Sequence, residues 1–340
     1  MRVVVTVITL LLLVICCYSI FELKCSKTLA VNSTRQWYHQ SVDNLDKKVN
    51  LLCEALAQHQ SEAVIQQSFR EARLAYKKIE LVVEYFHPYT AQFINGPVID
   101  KAENHHREGL QGFQELEVLL FPVLHPADTQ IAYVEASKLK SVLGRLQNEH
   151  ESIEPTDAQL FDAMRLELVR IMCLGLSGFD SPEARNSLPE AVASLDGISD
   201  VWQFYVPTVS IYNPKLVKYM DELLTASKAG LQSGNDSTFN RQYFITEYVN
   251  NLAVNLKLAR EALRIPYDNQ QYILDPAASN IFAKNAILSL YSSPDSSDLR
   301  EVPSLKDPVY NINGQRFTAS YLHTLLKQNS VLNSYAKRNN

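Results

Sequence analysis

The feature that most constrains this chain is the stretch Ser61 to His87, where Ile65, Phe69, Ala72, Tyr76, Ile79, Val83 and Phe86 recur at alternating steps of four and three. That interval returns an apolar side chain to the same face of an α-helix at every turn, and no β-strand keeps such a set on one side. Pro88 cannot continue the helix and ends it. From Gln36 to His59 the same steps separate Tyr38, Val42, Leu45, Val49, Leu52 and Leu56. Two long amphipathic helices joined by a short break bury their apolar faces by packing antiparallel. Composition agrees, since only 10 glycines occur in 340 residues where average usage would give about two dozen, and helices tolerate glycine poorly. The expected fold class is all-α: two antiparallel helical-bundle halves and a less regular C-terminal tail.

Further along, Phe93 to Gly109 contains Asn95, Gly96, Pro97 and a polar cluster, and reads as a long loop over the helix ends. Helices are expected over Leu110 to Phe121, stopped by Pro122, and over Asp128 to about His150. Glu154, Pro155 and Thr156 mark the boundary between halves, about 35–152 and 157–265. The second half should carry helices near Asp157 to Leu176, Asn186 to Tyr205, Pro214 to Leu231 and Ser237 to Arg264. Beyond Pro266 the composition shifts to Asn, Asp, Ser and Pro, so 266–340 reads as a tail with short helices around Ile281 to Tyr291 and Tyr321 to Leu326.

The N-terminus opens with Met1 and Arg2 before an uncharged run from Val3 to Phe21. This is the pattern of an export signal over 1–21, with Cys17 and Ser19 as small residues before a cut. The run is also just long enough to span a bilayer, so an uncleaved N-terminal anchor is the alternative to the favoured cleaved signal. The expected location is periplasmic or otherwise extracytoplasmic, touching membrane only through this segment. Beyond it, Cys25, Cys53 and Cys173 leave room for one disulfide at most. Covalent c-type haem attachment needs Cys-x-x-Cys-His. The sequence contains no such run, so no covalently bound cofactor is expected. The 32 basic and 37 acidic residues are dispersed without a basic block, which argues against nucleic acid as a partner.

Three constellations carry potential chemistry. Arg73, Lys77, Glu80, Glu84 and His87 form a polar stripe beside the apolar seam of the second helix, suited to a salt-bridged ladder or to a divalent metal. Glu117 stands between Leu116 and Val118 in an apolar run, so it faces the interior and needs a partner. Arg70, Arg73 or Arg241 would supply a structural pair; Glu80 or Glu84 would complete a site for iron, copper, zinc or calcium. His105 and His106, beside Glu103 and Glu108, read as solvated loop residues. Asp180, followed by Ser181 and Pro182, is expected to cap the next helix. Neither a serine, histidine and acid arrangement nor a glycine-rich phosphate loop stands out, so no catalytic residue is assigned.

Several blocks of the chain resemble the imelysin-like (peptidase M75-like) helical region that precedes the haem domains of bacterial di-haem cytochrome c peroxidase fusions. The first runs from Arg70 and Arg73 through Tyr76, Lys77, Glu80 and Glu84 to Phe86, with Asn95 and Gly96 following. The second is Gly112 to Pro122, containing Gln114 and Glu117, and the third is Ser177 to Pro182 with Ser187 to Ala191. Phe239, Asn240 and Arg241 fit the same group, and the resemblance spans about 35–265. Imelysins proper carry Gly-x-His-x-x-Glu with histidine and glutamate as proposed metal ligands; here the histidine position is Gln114, which weakens a peptidase reading. The resemblance implies a binding or accessory module acting with a separate di-haem cytochrome c peroxidase or an iron-uptake component. A divalent-metal-binding protein and a truncated remnant of a fusion are the alternatives.

Overall fold

The computed structural model describes residues 2–96, 99–101, 106–149, 153–235, 237–267, 278–280, 309–312 and 315–318, with side chains over 29–96, 109–149, 153–235, 237–267 and 278–280. The side chains of the expected signal or anchor, Glu103 and His105 of the polar cluster, and the expected helices near 281–291 and 321–326 lie outside the described residues. Among the described residues, no helix is long and apolar enough to cross a membrane.

The chain is all-α in its body. Helix α1 (Arg2–Ala57) turns at a short link into α2 (Glu62–Phe86), and the periodic positions of both are buried in one core, except Phe86, which is partly buried against it. The Lys48 ammonium meets Glu71 at 2.7 Å near that link, as two antiparallel helices require. Helix α3 (Pro88–Asn95) follows, then strands β1 (Ile99–Lys101) and β2 (His106–Glu108). Next come α4 (Phe113–Leu120), α5 (Thr129–Glu149), α6 (Asp157–Arg170), α7 (Ser187–Tyr212) and α8 (Pro214–Gln232). The last elements are a single turn, α9 (Arg241–Phe244), then α10 (Asn250–Ala262) and strands β3 (Val309–Ile312) and β4 (Gln315–Thr318).

Helix α2 lies at the centre, against α1, α6 and α7. Arg73 pairs with Glu190 and the Lys77 carbonyl accepts from Ser194, both across 117 residues of sequence. A constant offset means that α2 and α7 run parallel, since antiparallel partners would have a constant sum instead. Gly197 permits this approach: a Cβ there would stand 1.9 Å from the Lys78 carbonyl oxygen. The apolar cluster runs without a break from α1 to Leu263 after α10. Glu154 to Thr156 is therefore a link across one core, and Thr156 closes a capping box with Gln159 at the start of α6.

Three expectations need correction, and the tail adds an element. The stretch 93–109 is not a plain loop: Pro88 ends α2 but also starts α3, because proline suits the first turn of a helix, and an antiparallel hairpin pairs Ile99 with Glu108. The helix expected from Leu110 begins at Phe113, since Gly112 adopts φ 57°. Helix α7 continues past Tyr205, through Pro207, to Tyr212. Between the two helices expected in the tail, two antiparallel strands pair Ile312 with Gln315.

Candidate functional site

Beside the apolar seam of α2, the residues one position round the helix are charged and face α7, α6 and the loop before α7. Arg73 is completely buried. Its Nε donates to Glu190 Oε1 at 2.8 Å, one terminal nitrogen donates to Asn95 Oδ1 at 3.0 Å, and the other donates to the Asp180 carbonyl. Gln114 supports the same two acceptors, donating to Asn95 at 3.3 Å and to the Asp180 carbonyl at 3.0 Å. One turn on, the Lys77 ammonium lies 2.9 Å from both oxygens of Glu80 and 2.5 Å from Asp180 Oδ2. Arg170, at the end of α6, reaches Glu80 at 2.9 Å and Glu84 at 3.0 Å, and the Tyr76 hydroxyl donates to Glu84 at 3.1 Å.

Glu117 is 1% exposed and closes the other side of this network. Its Oε1 accepts from the backbone amides of Glu183 and Ala184, at 3.0 and 2.8 Å, and from the Ser181 hydroxyl at 3.3 Å. Arg73 stands 3.8 Å from Oε2, which accepts no hydrogen bond. The helix that carries Glu117 is placed by Gly112: a Cβ there would sit 2.1 Å from the Ile94 carbonyl oxygen, so only glycine lets the end of α3 and the start of α4 meet. The Gln111 amide also donates to the Gly96 carbonyl at 2.9 Å, closing the base of the hairpin excursion.

Two buried cations, Arg73 and Lys77, and the partly buried Arg170 thus face six carboxyl groups: the partly buried Glu84 and the buried Glu80, Glu117, Glu167, Asp180 and Glu190. The acids divide into two kinds. Burial opposes ionisation of Asp180 and Glu80, but Lys77 together with Arg73 or Arg170 outweighs it and holds both below the usual carboxylate range. Burial wins at Glu190, Glu117 and Glu84, which sit above their ordinary value despite a neighbouring arginine. Glu167 is the extreme case: burial and the Glu80 charge push it well above, neither oxygen accepts a hydrogen bond, and Arg170 Nε is 3.8 Å away. Burial would lower Arg73 and Lys77, yet the surrounding carboxylates keep both charged.

Compared with models of known families and with curated proteins, the chain matches none. The site is therefore read on its own geometry. It unites Arg73, Gln114, Glu117 and Asp180, and joins Glu80 to Glu84 through Arg170. Among the described residues, no three His, Cys, Asp or Glu side chains are grouped so as to hold a metal ion. Of the arginines considered for Glu117, only Arg73 reaches it: Arg70 lies over the Phe121 ring, and Arg241 Nε donates to the Leu176 carbonyl at 2.5 Å. The ladder within α2 is partial, because Lys77 pairs with Glu80 whereas Arg73 and Glu84 find partners on other elements and His87 Nδ1 lies 3.4 Å from Glu149. Asp180 caps no helix; its carboxylate is taken by Lys77, and α7 starts after Asn186 without a side-chain cap. Cys53 and Cys173 are unpaired, and burial pushes the Cys173 thiol up to about 11.

Sequence reasoning gave no role to Glu167, Arg170, Glu190 or Ser194. One signal was present: Glu167 and Arg170 lie three apart on a helix between Leu166, Leu168 and Val169, where charge facing inward again needs a partner.

Proposed function

We propose that this chain is an exported, imelysin-like binding or accessory module, two antiparallel bundle halves joined at their centre, acting with a separate c-type haem protein or an iron-uptake component. One observation carries the reading. The blocks that resemble the imelysin-like region lie far apart in sequence, yet Arg73, Lys77 and Glu80 of the first, Gln114 and Glu117 of the second and Asp180 with Glu190 of the third converge in one buried network. That the positions carrying the resemblance share one network, rather than lying apart on the surface, supports the reading. The network also supports binding over catalysis, because Arg73, Lys77, Glu80 and Glu117 are each at most 3% exposed and spend their hydrogen bonds on neighbouring side chains and backbone within the protein. The test is affinity purification of the exported protein from its own cells, followed by haem staining and mass spectrometry. A c-type cytochrome or an iron-uptake component should be recovered repeatedly; recovery of neither overturns the proposal.

A second reading, a divalent-metal protein, is favoured by the excess of buried carboxyl groups and by the oxygens of Glu117, Glu167 and Glu190 that accept no hydrogen bond. It predicts calorimetric binding of iron, copper, zinc or calcium well below the millimolar range, lost in Glu117→Gln. Weaker binding of all four removes it.

A further inference from the structure

A groove of about 660 Å³ lies between α1, α2, the start of α7 and the end of α8, separate from the buried network. That is within the size range of small-molecule sites, roughly 300–1,000 Å³. Leu74, Ala75, Leu188, Val192 and Ala193 make an apolar floor. The charged groups of its rim are mostly matched: Lys48 with Glu71 at 2.7 Å, Lys78 with Asp200 at 2.7 Å, and Asp196 with Lys228 at 2.9 Å. Arg185 is the exception. It is exposed at the lip, and among the described residues no carboxylate pairs with it.

Arg185 is also held in place. Its φ of 50° is left-handed, a conformation that glycine or asparagine adopts with less strain. The two preceding amides, Glu183 and Ala184, are fixed by Glu117, and the following amide, Asn186, donates to the Ser181 hydroxyl at 3.1 Å. A guanidinium on a fixed backbone beside an apolar trough, with no carboxylate partner among the described residues, complements a carboxylate head on a hydrocarbon chain, since the planar fork receives both carboxylate oxygens. We propose that the groove binds a free fatty acid of about twelve carbons, its carboxylate on Arg185 and its chain along Leu74 and Val192. The site stands independently of the haem or iron partner proposed above.

The experiment titrates the purified full chain with dodecanoate, below its micellar concentration, against a displaceable fluorescent fatty acid, with dodecylammonium and acetate in parallel. Dodecanoate should bind in the micromolar range, with dodecylammonium and acetate much weaker. Arg185→Gln should weaken dodecanoate about ten- to a hundred-fold while its melting curve matches the unaltered chain. Val192→Asp should remove binding by charging the floor. The proposal is overturned if dodecanoate fails to bind below millimolar concentration, if dodecylammonium competes equally well, or if Arg185→Gln binds unchanged.

Discussion

Among the described residues two arginines are buried almost completely, and they are used in opposite ways. Arg73 gathers acceptors from α3, from the loop before α7 and from α7 itself, in surroundings where carboxyl groups outnumber cations. Arg260 makes a local clasp at the end of α10: it meets Asp162 of α6 at 2.5 Å, donates to the Pro266 carbonyl at 2.6 Å and lies 4.4 Å over the Tyr267 ring. The first organises a junction of several segments, while the second fastens the end of α10 to α6 and to the residues that follow it. A buried charge is therefore to be judged by how many groups would be stranded without it, not by its depth.

The largest effect should come from Arg73→Leu. It leaves the buried Glu190 without its donor and Asn95 and the Asp180 carbonyl with Gln114 alone, and urea denaturation should show a loss of about 3–5 kcal/mol. Arg73→Lys should recover little, because one ammonium cannot reach acceptors in three directions.

Arg260→Met should cost less, about 1–3 kcal/mol, since Asp162 lies near enough to the surface, 9% exposed, to regain water. Paired deletions sharpen the contrast. Adding Asp162→Leu to Arg260→Met should restore most of the lost stability, whereas adding Glu190→Leu to Arg73→Leu should restore less than half. Equal recovery in the two double variants would break the distinction between junction and clasp.

The smallest effect is on pH dependence. Glu167 is raised in the folded protein, so its stabilising contribution is complete below the unfolded value of about 4.5 and is lost as pH rises through the folded value. Glu80 and Asp180 are depressed, so theirs is present above the unfolded value and is lost as pH falls through the folded one. Glu167→Gln should thus raise stability by about 1 kcal/mol at pH 8, shift the melting temperature by roughly 2–4 °C, and change little at pH 5. A gain at pH 5 equal to that at pH 8 would show that Glu167 does not titrate across this range.

Much of the body was legible because burial writes itself into helices with a period. Ile65 to Phe86 had to lie along one face, and each of these residues but Phe86 is buried. Glu117 was legible as an interior acid for the same reason, since an apolar run on both sides leaves a carboxylate nowhere wet to go. Arg73 was visible as one of three candidates, yet nothing local separated it from Arg70, which turned to Phe121 instead. Pro88 misled because proline stops one helix and starts another by the same missing amide.

By itself the sequence determined which residues repeat once per turn, which acids stand inside apolar runs, and hence that long helices bury charge. Only the tertiary structure decided which charges meet. Local periodicity depends on neighbours three and four residues apart, but the pairing of Arg73 with Glu190 spans 117 residues, and Gly197 makes the approach of α2 and α7 close enough for it. A side chain's need for a partner is a local property; the partner's identity follows from how two helices pack.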